Sequence, residues 1–323
     1  MPTTDFTTKW DEISGQGFDA GRFRVRPDHP LDLFVAYSRD GNRQFMFQLP
    51  DGDESILTIP ELENVVADIE RVDGHPTLVL TLQDRELSDL FSVICIDLAD
   101  ATESAGSAKI AASIFMTRLD RWSDLLRRRR SGGMSLEERL GLLGELILIK
   151  AILEKGKTSP RQLMRGWRGP DGDTTDIAIN GMSFEVKAQL ATAAPRLRIS
   201  SLDQLDSSED SLIVVWHRFS RADKGSSLGA LVDGIGHKLA SSHRDQLEFQ
   251  RKLLLSGFDR GAGYVDECFS LDRRTAFRVS EGFPRLVRGN VPKAITAAQY
   301  DIACSQLTDF EINTQDFEEM IGG

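Results

Sequence analysis

The stretch DIAINGMSFEVKAQ, residues 176–189, decides the fold of the second half of the chain. Two short runs with alternating apolar residues flank Asn180-Gly181, and such a pair between strand-like runs is a strong signal for a two-residue β-hairpin. A type I′ turn needs two positions that accept positive φ, which Asn and Gly tolerate. Counting back from the turn places Asp176 opposite Glu185, with Cβ atoms ~5 Å apart on one face of the sheet.

One face of this predicted hairpin is polar. Because side chains alternate along a strand, Glu185, Lys187 and Gln189 share that face, whereas Phe184 and Val186 point into a core. Two carboxylates that oppose each other across a hairpin are destabilising unless a hard cation lies between them. Mg²⁺ prefers such oxygen ligands and keeps several of its waters. The hairpin therefore predicts a site for a divalent cation.

A third carboxylate lies on the helix predicted before the hairpin. Ser135 and Glu138 form the capping-box pattern that begins this helix, and Gly156 is its expected C-terminal stop. Glu145 has apolar neighbours at helical spacing, so its side chain is predicted to point towards the core. Burying a carboxylate there is costly unless it is paired, which favours a place at the cation or in a buried hydrogen-bond network.

The N-terminal part of the chain has a different pattern. Between Phe23 and Leu98, five short β-like runs, the last of them FSVICIDL, are separated by turn residues, which predicts a mainly antiparallel domain over residues 1–104. The next segment has helical periodicity and ends in four arginines, so residues 105–133 are predicted as a connecting helix and basic linker. Residues 134–323 form the third part, and the predicted fold class is α/β, or α+β over the whole chain.

Charge is distributed unevenly along the 323 residues. The net charge is −11, but residues 1–104 hold 8 Lys or Arg against 21 Asp or Glu, whereas residues 121–170 hold 12 against 5. An acidic N-terminal part is a poor surface for phosphate groups, so it is predicted to contact a protein partner or a second copy of the chain. The basic segment lies next to the hairpin in sequence.

Simple signals exclude several classes of protein. Cys95, Cys268 and Cys304 are isolated and odd in number, which excludes a disulfide framework and a Cys-based zinc site. The N-terminus lacks a secretion signal and no apolar run approaches the ~18 residues of a membrane span, so a cytoplasmic protein without membrane contact is predicted. His217 and His237 have no metal-binding partners at ligand spacing and are predicted to be structural residues with satisfied hydrogen bonds or surface residues.

Six short motifs follow one another along the chain. They are Gly144-Glu145, Trp167-x-Gly169-Pro170, Pro170-Asp171, Asp176, Glu185-Val186-Lys187 and Phe283-Pro284-Arg285. The motifs between residues 170 and 187 resemble the PD-(D/E)XK nuclease superfamily. Together, the six resemble the bacterial family named only as "PD-(D/E)XK motif protein", and the resemblance covers most of the chain, including its β-rich N-terminal part.

This resemblance implies a restriction-endonuclease-like core that hydrolyses the phosphodiester bonds of double-stranded DNA in a restriction or anti-phage defence system. It implies Mg²⁺ as the cofactor, with Mn²⁺ able to substitute. The implied partners are DNA, other defence proteins at the acidic N-terminal domain, and a second copy of the chain, since cutting both strands usually requires two sites. Two rival interpretations stay open: a catalytically silent DNA-binding or assembly subunit of a defence complex, and a nuclease that acts on RNA.

The resemblance also implies a role for each residue of the site. Asp176 and Glu185 would bind Mg²⁺, with the Val186 carbonyl as an additional ligand and Glu145 completing the metal site. Lys187 would orient or activate water, and its ammonium would stabilise the negative charge that develops on the phosphorane.

The resemblance also concerns Gln189 and the aspartate of the motif. Gln189 would support the substrate or the water. Asp171 follows the motif's proline, but Asp176 begins the apolar strand, so the hairpin geometry favours Asp176. Asp171 and Asp173 are then predicted in the preceding Gly-rich loop, and metal binding through either of them would mean that the hairpin register is wrong.

Overall fold

The computed structural model describes residues 6–16, 21–49, 59–62, 64–130, 133–206 and 211–322. The chain divides into two compact units, Met1–Gly132 and Gly133–Gly323. None of the helices in these described ranges combines the length and the apolar character that crossing a bilayer requires.

A five-stranded antiparallel sheet forms the centre of the first unit, with the strand order β1-β2-β3-β5-β4. Its strands are β1 (Phe23–Val25), β2 (Leu33–Tyr37), β3 (Arg43–Gln48), β4 (Val65–Val72) and β5 (His75–Leu82). The helices of this unit are α1 (Phe6–Gln16), α2 (Ser88–Thr102) and α3 (Ala108–Arg130). Every strand pair is antiparallel, so the antiparallel pattern predicted for the N-terminal part is confirmed.

Helix α2 corrects one prediction. The run FSVICIDL, predicted as the last strand, lies within this helix. Phe91, Cys95 and Leu98 are buried at helical spacing, so the same apolar residues that suggest a strand form one face of a helix. Asp97 is also buried, at 1% exposure, because α3 supplies hydrogen-bond donors for its carboxylate. A short apolar run does not distinguish a strand from a buried helical turn.

Helix α3 covers the segment predicted as a connecting helix and lies within the first unit. Its buried face includes Phe115, Leu119 and Trp122. Ile110, which the helical spacing predicts on the same side, is instead 53% exposed. This helix packs against α2, so it contributes to the core of the first unit.

The second unit contains a mixed sheet with the order β12-β10-β9-β7-β6 and a separate two-stranded ribbon of β8 and β11. The strands are β6 (Ile177–Ile179), β7 (Met182–Leu190), β8 (Arg196–Ile199), β9 (Ser211–Ser226), β10 (Phe269–Arg278), β11 (Tyr300–Ala303) and β12 (Glu311–Ile312). The helices are α4 (Leu136–Lys155), α5 (Pro160–Gly166), α6 (Leu228–Lys238), α7 (His243–Leu255) and α8 (Thr314–Gly322). Strands β7 and β9 are parallel, and the other pairs are antiparallel.

Both faces of the mixed sheet are covered. On one face, Phe184 and Val186 of β7 share a core with α4 and α6, as their alternation in sequence predicts. On the other face, Val214 and Trp216 of β9 share a second core with the β8–β11 ribbon and with Leu205. The polar face of β7 therefore lies on the side of the ribbon.

Helix α4 has the ends that the sequence predicts. The Ser135 hydroxyl accepts from the Glu138 backbone N–H at 3.2 Å, and the Glu138 carboxylate accepts from the Ser135 N–H at 2.8 Å. Gly156 ends the helix in the left-handed conformation, with φ of 71°. Both ends are fixed locally, which sets the position of Glu145 along the helix.

Candidate active site

The hairpin of β6 and β7 forms with the predicted turn and register. Asn180 and Gly181 have φ of 50° and 74°, and Ile177 pairs with Phe184. The strand pairing ends at this pair. The Asp176 N–H donates to the Phe184 carbonyl at 3.1 Å and does not continue the ladder. Asp176 thus lies just beyond the end of β6 and is not a ladder partner of Glu185 as the simple count predicts.

The Asp176 carboxylate reaches across to the backbone of β7. Its Oδ2 accepts from the Val186 N–H at 2.6 Å. The N–H and C=O of one strand residue point to the same side, so the Val186 carbonyl lies on the edge that Asp176 occupies. The two groups predicted as metal ligands are therefore neighbours on one edge of β7.

Glu185 and Lys187 lie side by side on the polar face of β7. Glu185 is 2% exposed, and its Oε1 lies 2.7 Å from Lys187 Nζ. Lys187 Nζ also donates to Gln204 Oε1 at 3.4 Å. The ammonium is thus held between a carboxylate and an amide oxygen.

Glu145 reaches this cluster from α4. Its Oε2 accepts from the indole N–H of the fully buried Trp167 at 2.6 Å. Gly169 lies against both carboxylates, because a Cβ at that position would be 2.8 Å from Asp176 Oδ1 and 3.4 Å from Glu145 Oε2. The glycine of the Trp-x-Gly-Pro motif is therefore needed for the close approach of Asp176 and Glu145.

The electrostatics of the three carboxyl groups are coupled. Removal from water raises the pKa of Glu185 to about 8, repulsion from Asp176 adds to the increase, and Lys187 opposes it. Burial also raises the pKa of Glu145 well above its usual range, with further repulsion from Asp176 and Glu185. Burial raises the pKa of Asp176, although its bond from the Val186 N–H has the opposite effect. When all three are ionised, the carboxylates carry more negative charge than one ammonium neutralises.

The structure separates Asp171 from this cluster. Its carboxylate lies 2.9 Å from Arg251 and 2.8 Å from Lys252, both on α7. Burial disfavours ionisation of Asp171, but the two cations outweigh it and hold the pKa of this carboxyl well below its usual range. Asp173 lies 3.7 Å from Arg168, and its side chain accepts from the Thr174 N–H. Asp176 is therefore the aspartate of this segment that lies with Glu185.

Gln189 is the predicted site residue that the structure leaves apart from the cluster. Its amide Nε2 donates to the Ala194 carbonyl at 3.0 Å. Two residues along a strand correspond to roughly 6.6 Å, so Gln189 lies beyond Lys187 near the turn after β7. The alternation that places both on one face does not bring their side chains together.

Three further residues take part that residue patterns alone miss. Gln204 accepts from Lys187, Trp167 donates to Glu145, and the buried Lys252 donates to the Trp167 carbonyl and to Asp171. Trp167 has a local signal in its Trp-x-Gly-Pro motif. Gln204 and Lys252 are distant in sequence and lie in no motif, so no local pattern indicates them.

The donor set fits a divalent cation by its chemistry. Three carboxylates with raised pKa values repel one another, and a hard cation would remove that repulsion. Each of these carboxylates already accepts from a protein donor. Across the described part of the chain, no three acidic, imidazole or thiol side chains are arranged as a preformed metal site.

A family model described as "Putative PD-(D/E)XK family member, (DUF4420)" matches residues 6–305. The chain belongs to this family. Membership confirms the resemblance to the PD-(D/E)XK superfamily and the mixed α/β, restriction-endonuclease-like fold class. The family points to a nuclease, and nucleases of this superfamily typically use divalent metal ions. No curated protein and no solved structure matches the chain.

Proposed function

We propose that this PD-(D/E)XK family member is an endonuclease that uses Mg²⁺, or Mn²⁺ in its place, to hydrolyse phosphodiester bonds of double-stranded DNA. The observation that supports the proposal is the convergence of Asp176, Glu185 and Glu145 beside the Lys187 ammonium. Buried acids that lack enough cationic partners are costly in a fold, and a metal-dependent site is a physical reason to keep them.

Asp176, Glu185 and the Val186 carbonyl would hold the metal, with Glu145 completing the site. When bound, such an ion supplies Lewis-acid polarisation of a phosphate and a lower pKa for bound water. Lys187 contributes a fixed positive charge near the carboxylates, where it would orient a water and stabilise negative charge that develops on the phosphate.

The proposed setting is a cytoplasmic restriction or anti-phage defence system. Residues 1–104 hold 8 Lys or Arg against 21 Asp or Glu, so this region would repel DNA. We therefore assign it to contact with another defence protein or with a second copy of the chain. A pair of chains would supply two sites for the two strands of a duplex.

One observation favours the rival function of a catalytically silent DNA-binding or assembly subunit. Asp176, Glu185 and Glu145 each accept from a protein donor, as the buried acids of a purely structural network do. Titration calorimetry with Mg²⁺ and Mn²⁺ separates the two functions. The nuclease requires metal binding that Asp176→Asn weakens, whereas the silent subunit requires none.

Plasmid cleavage tests the proposal directly. We expect wild type to cut in Mg²⁺ and Mn²⁺ but not in EDTA, and Lys187→Ala to reduce the rate by about 10²–10³, because a charge-stabilising group is lost. Lys150→Ala is the matched control, since Lys150 is 44% exposed and pairs loosely with Glu154 at 4.0 Å. Equal cleavage by wild type and Lys187→Ala would indicate a contaminating nuclease and sink the assignment. Single-stranded and double-stranded RNA, run in parallel, decide the substrate class.

A further inference from the structure

Residues 200–206 form a turn that reaches Lys187 through one side chain. Gln204 Oε1 accepts from the Ser200 backbone N–H at 2.8 Å and from Lys187 Nζ at 3.4 Å. The first bond fixes the amide oxygen within its own turn. The second bond directs this fixed oxygen at the ammonium.

The segment that contains Phe283-Pro284-Arg285 holds this turn in place. Arg285 Nη1 donates to the Leu205 carbonyl at 2.6 Å, and Leu205 is fully buried. Phe283 is 4% exposed, shares the ribbon-side core with Leu205, and meets Phe310 edge to face at 5.1 Å. The motif thus supplies both an apolar anchor and a charged donor to the turn.

We propose that Arg285 and Gln204 are positioning residues for Lys187, and that the Phe283-Pro284-Arg285 motif serves this purpose. The inference rests on the proposed nuclease function. Arg285 fixes the Leu205 carbonyl, the neighbouring Gln204 presents its amide oxygen, and that oxygen holds the Lys187 ammonium.

Lys187 needs such a device because a lysine ammonium is a point charge on a flexible four-carbon stem. Its carboxylate partner, Glu185, lies at 2.7 Å and attracts it strongly. Without a second acceptor, the ammonium can shift to contacts with Glu185 alone. It then loses the position from which it meets a water or a phosphate. An acceptor on the opposite side keeps it between the two groups.

The kinetic test uses matched substitutions at Gln204 in the full-length protein. Gln204→Met keeps the length and removes the acceptor, whereas Gln204→Glu keeps an acceptor. We expect kcat to fall about tenfold or more in Gln204→Met with KM for DNA changed less than about threefold, and to recover in Gln204→Glu. Arg285→Met and Arg285→Lys should behave in the same way. An effect on KM alone, or equal loss in both members of each pair, would overturn the positioning role.

A spectroscopic test needs no nuclease activity. In protein labelled with ¹³Cε-lysine, the Lys187 signal is assigned by its absence in Lys187→Arg. We expect Gln204→Met and Arg285→Met to move this signal. The control is Arg288→Ala, which breaks the exposed pair with Asp203 at 2.6 Å on the same turn and should leave the signal in place.

The two tests separate the two claims. An unmoved Lys187 signal in both methionine variants refutes the positioning role, whatever the cleavage assay shows. A moved signal in a protein that cuts no nucleic acid supports the positioning of Lys187 and refutes the nuclease function.

Discussion

The two units differ in the partners that they give to a buried acid and a buried histidine. In the first unit, the Asp97 carboxylate accepts from Arg118 at 2.6 and 2.7 Å and from the Trp122 indole at 2.7 Å. His29, 7% exposed, has partners for both ring nitrogens, including the Thr102 hydroxyl. Both groups therefore have hydrogen-bond partners for their buried polar atoms.

In the second unit, Glu185 and His217 are less well matched. Glu185 shares one ammonium with Asp176 and Glu145, and its pKa is raised to about 8, with desolvation as the main cause. His217 is fully buried, and neither of its ring nitrogens has a hydrogen-bond partner among the described residues. Removing a matched buried acid leaves its partners uncompensated and destabilises the fold, whereas an undercompensated cluster is itself retained at a cost in stability. The comparison therefore separates a structural acid from the candidate site.

The largest expected effect on stability comes from substitution of Asp97. Asp97→Ala leaves Arg118 and Trp122 without this acceptor, so the free energy of unfolding of the first unit should fall by about 3–5 kcal/mol. Urea unfolding followed by tryptophan fluorescence measures it. The control is Asp11→Ala, because Asp11 is 69% exposed and pairs with Arg43 at 3.7 Å, so its loss should cost less than about 0.5 kcal/mol. A loss of stability in Asp97→Ala as small as that in Asp11→Ala would contradict the proposed difference between the units.

The second expected effect is a loss of stability at low pH that His217 causes. Burial, aided by Arg274, lowers the pKa of His217 to about 3, so the folded state resists its protonation. The unfolded chain takes up a proton below a pKa of about 6.5, and stability is therefore lost as pH falls from that value towards 3. Between pH 7 and pH 5 this group should cost about 2 kcal/mol.

His217→Phe tests this by removing the titrating group while keeping an aromatic ring. Unfolding measured at pH 7 and pH 5 should show a smaller loss in the variant than in wild type. The exposed His75 provides the control substitution, His75→Phe, which should leave the acid sensitivity as it is. If wild type and His217→Phe lose the same stability, the imidazole is protonated in the folded protein and has a polar partner.

The smallest expected effect sharpens the comparison most directly. Glu185→Gln puts a neutral amide where folding must otherwise bury a charged carboxylate or protonate it, so the metal-free protein should gain about 1 kcal/mol, or roughly 2–4 °C in Tm. Scanning calorimetry in EDTA measures the gain, and added Mg²⁺ should stabilise wild type more than the variant. A lower Tm for Glu185→Gln in EDTA would show that Glu185 is a matched structural acid like Asp97.

Local signals in the sequence account for the parts of the fold that were predicted correctly. The Asn180-Gly181 turn and the Ser135–Glu138 cap are each determined by a few adjacent residues, and both are confirmed. The strand predicted at FSVICIDL is wrong because a short apolar run suits a buried helix as well as a strand. Tertiary packing, which the run itself does not encode, decides between them.

The candidate site shows the same division between local and distant information. Strand alternation places Glu185 and Lys187 on one face, where the structure has them 2.7 Å apart. The bend at Asp176 was not predictable, because it goes with two bonds to β7: the Asp176 N–H donates to the Phe184 carbonyl, and the Val186 N–H donates to the Asp176 carboxylate. Gln204 comes from a separate turn, so its contact with Lys187 depends on the packing of the ribbon.

The two ion pairs of Asp171, with Arg251 and with Lys252, affect how the sequences of relatives of this chain should be aligned. The Pro-Asp dipeptide that gives the superfamily its name here marks an anchor to a distant helix. A pattern keyed to that dipeptide would register Asp171, five positions before the aspartate whose carboxylate meets the Val186 N–H. Spacing to the Glu-Val-Lys triplet is better measured from the residue whose carboxylate meets the triplet's own backbone.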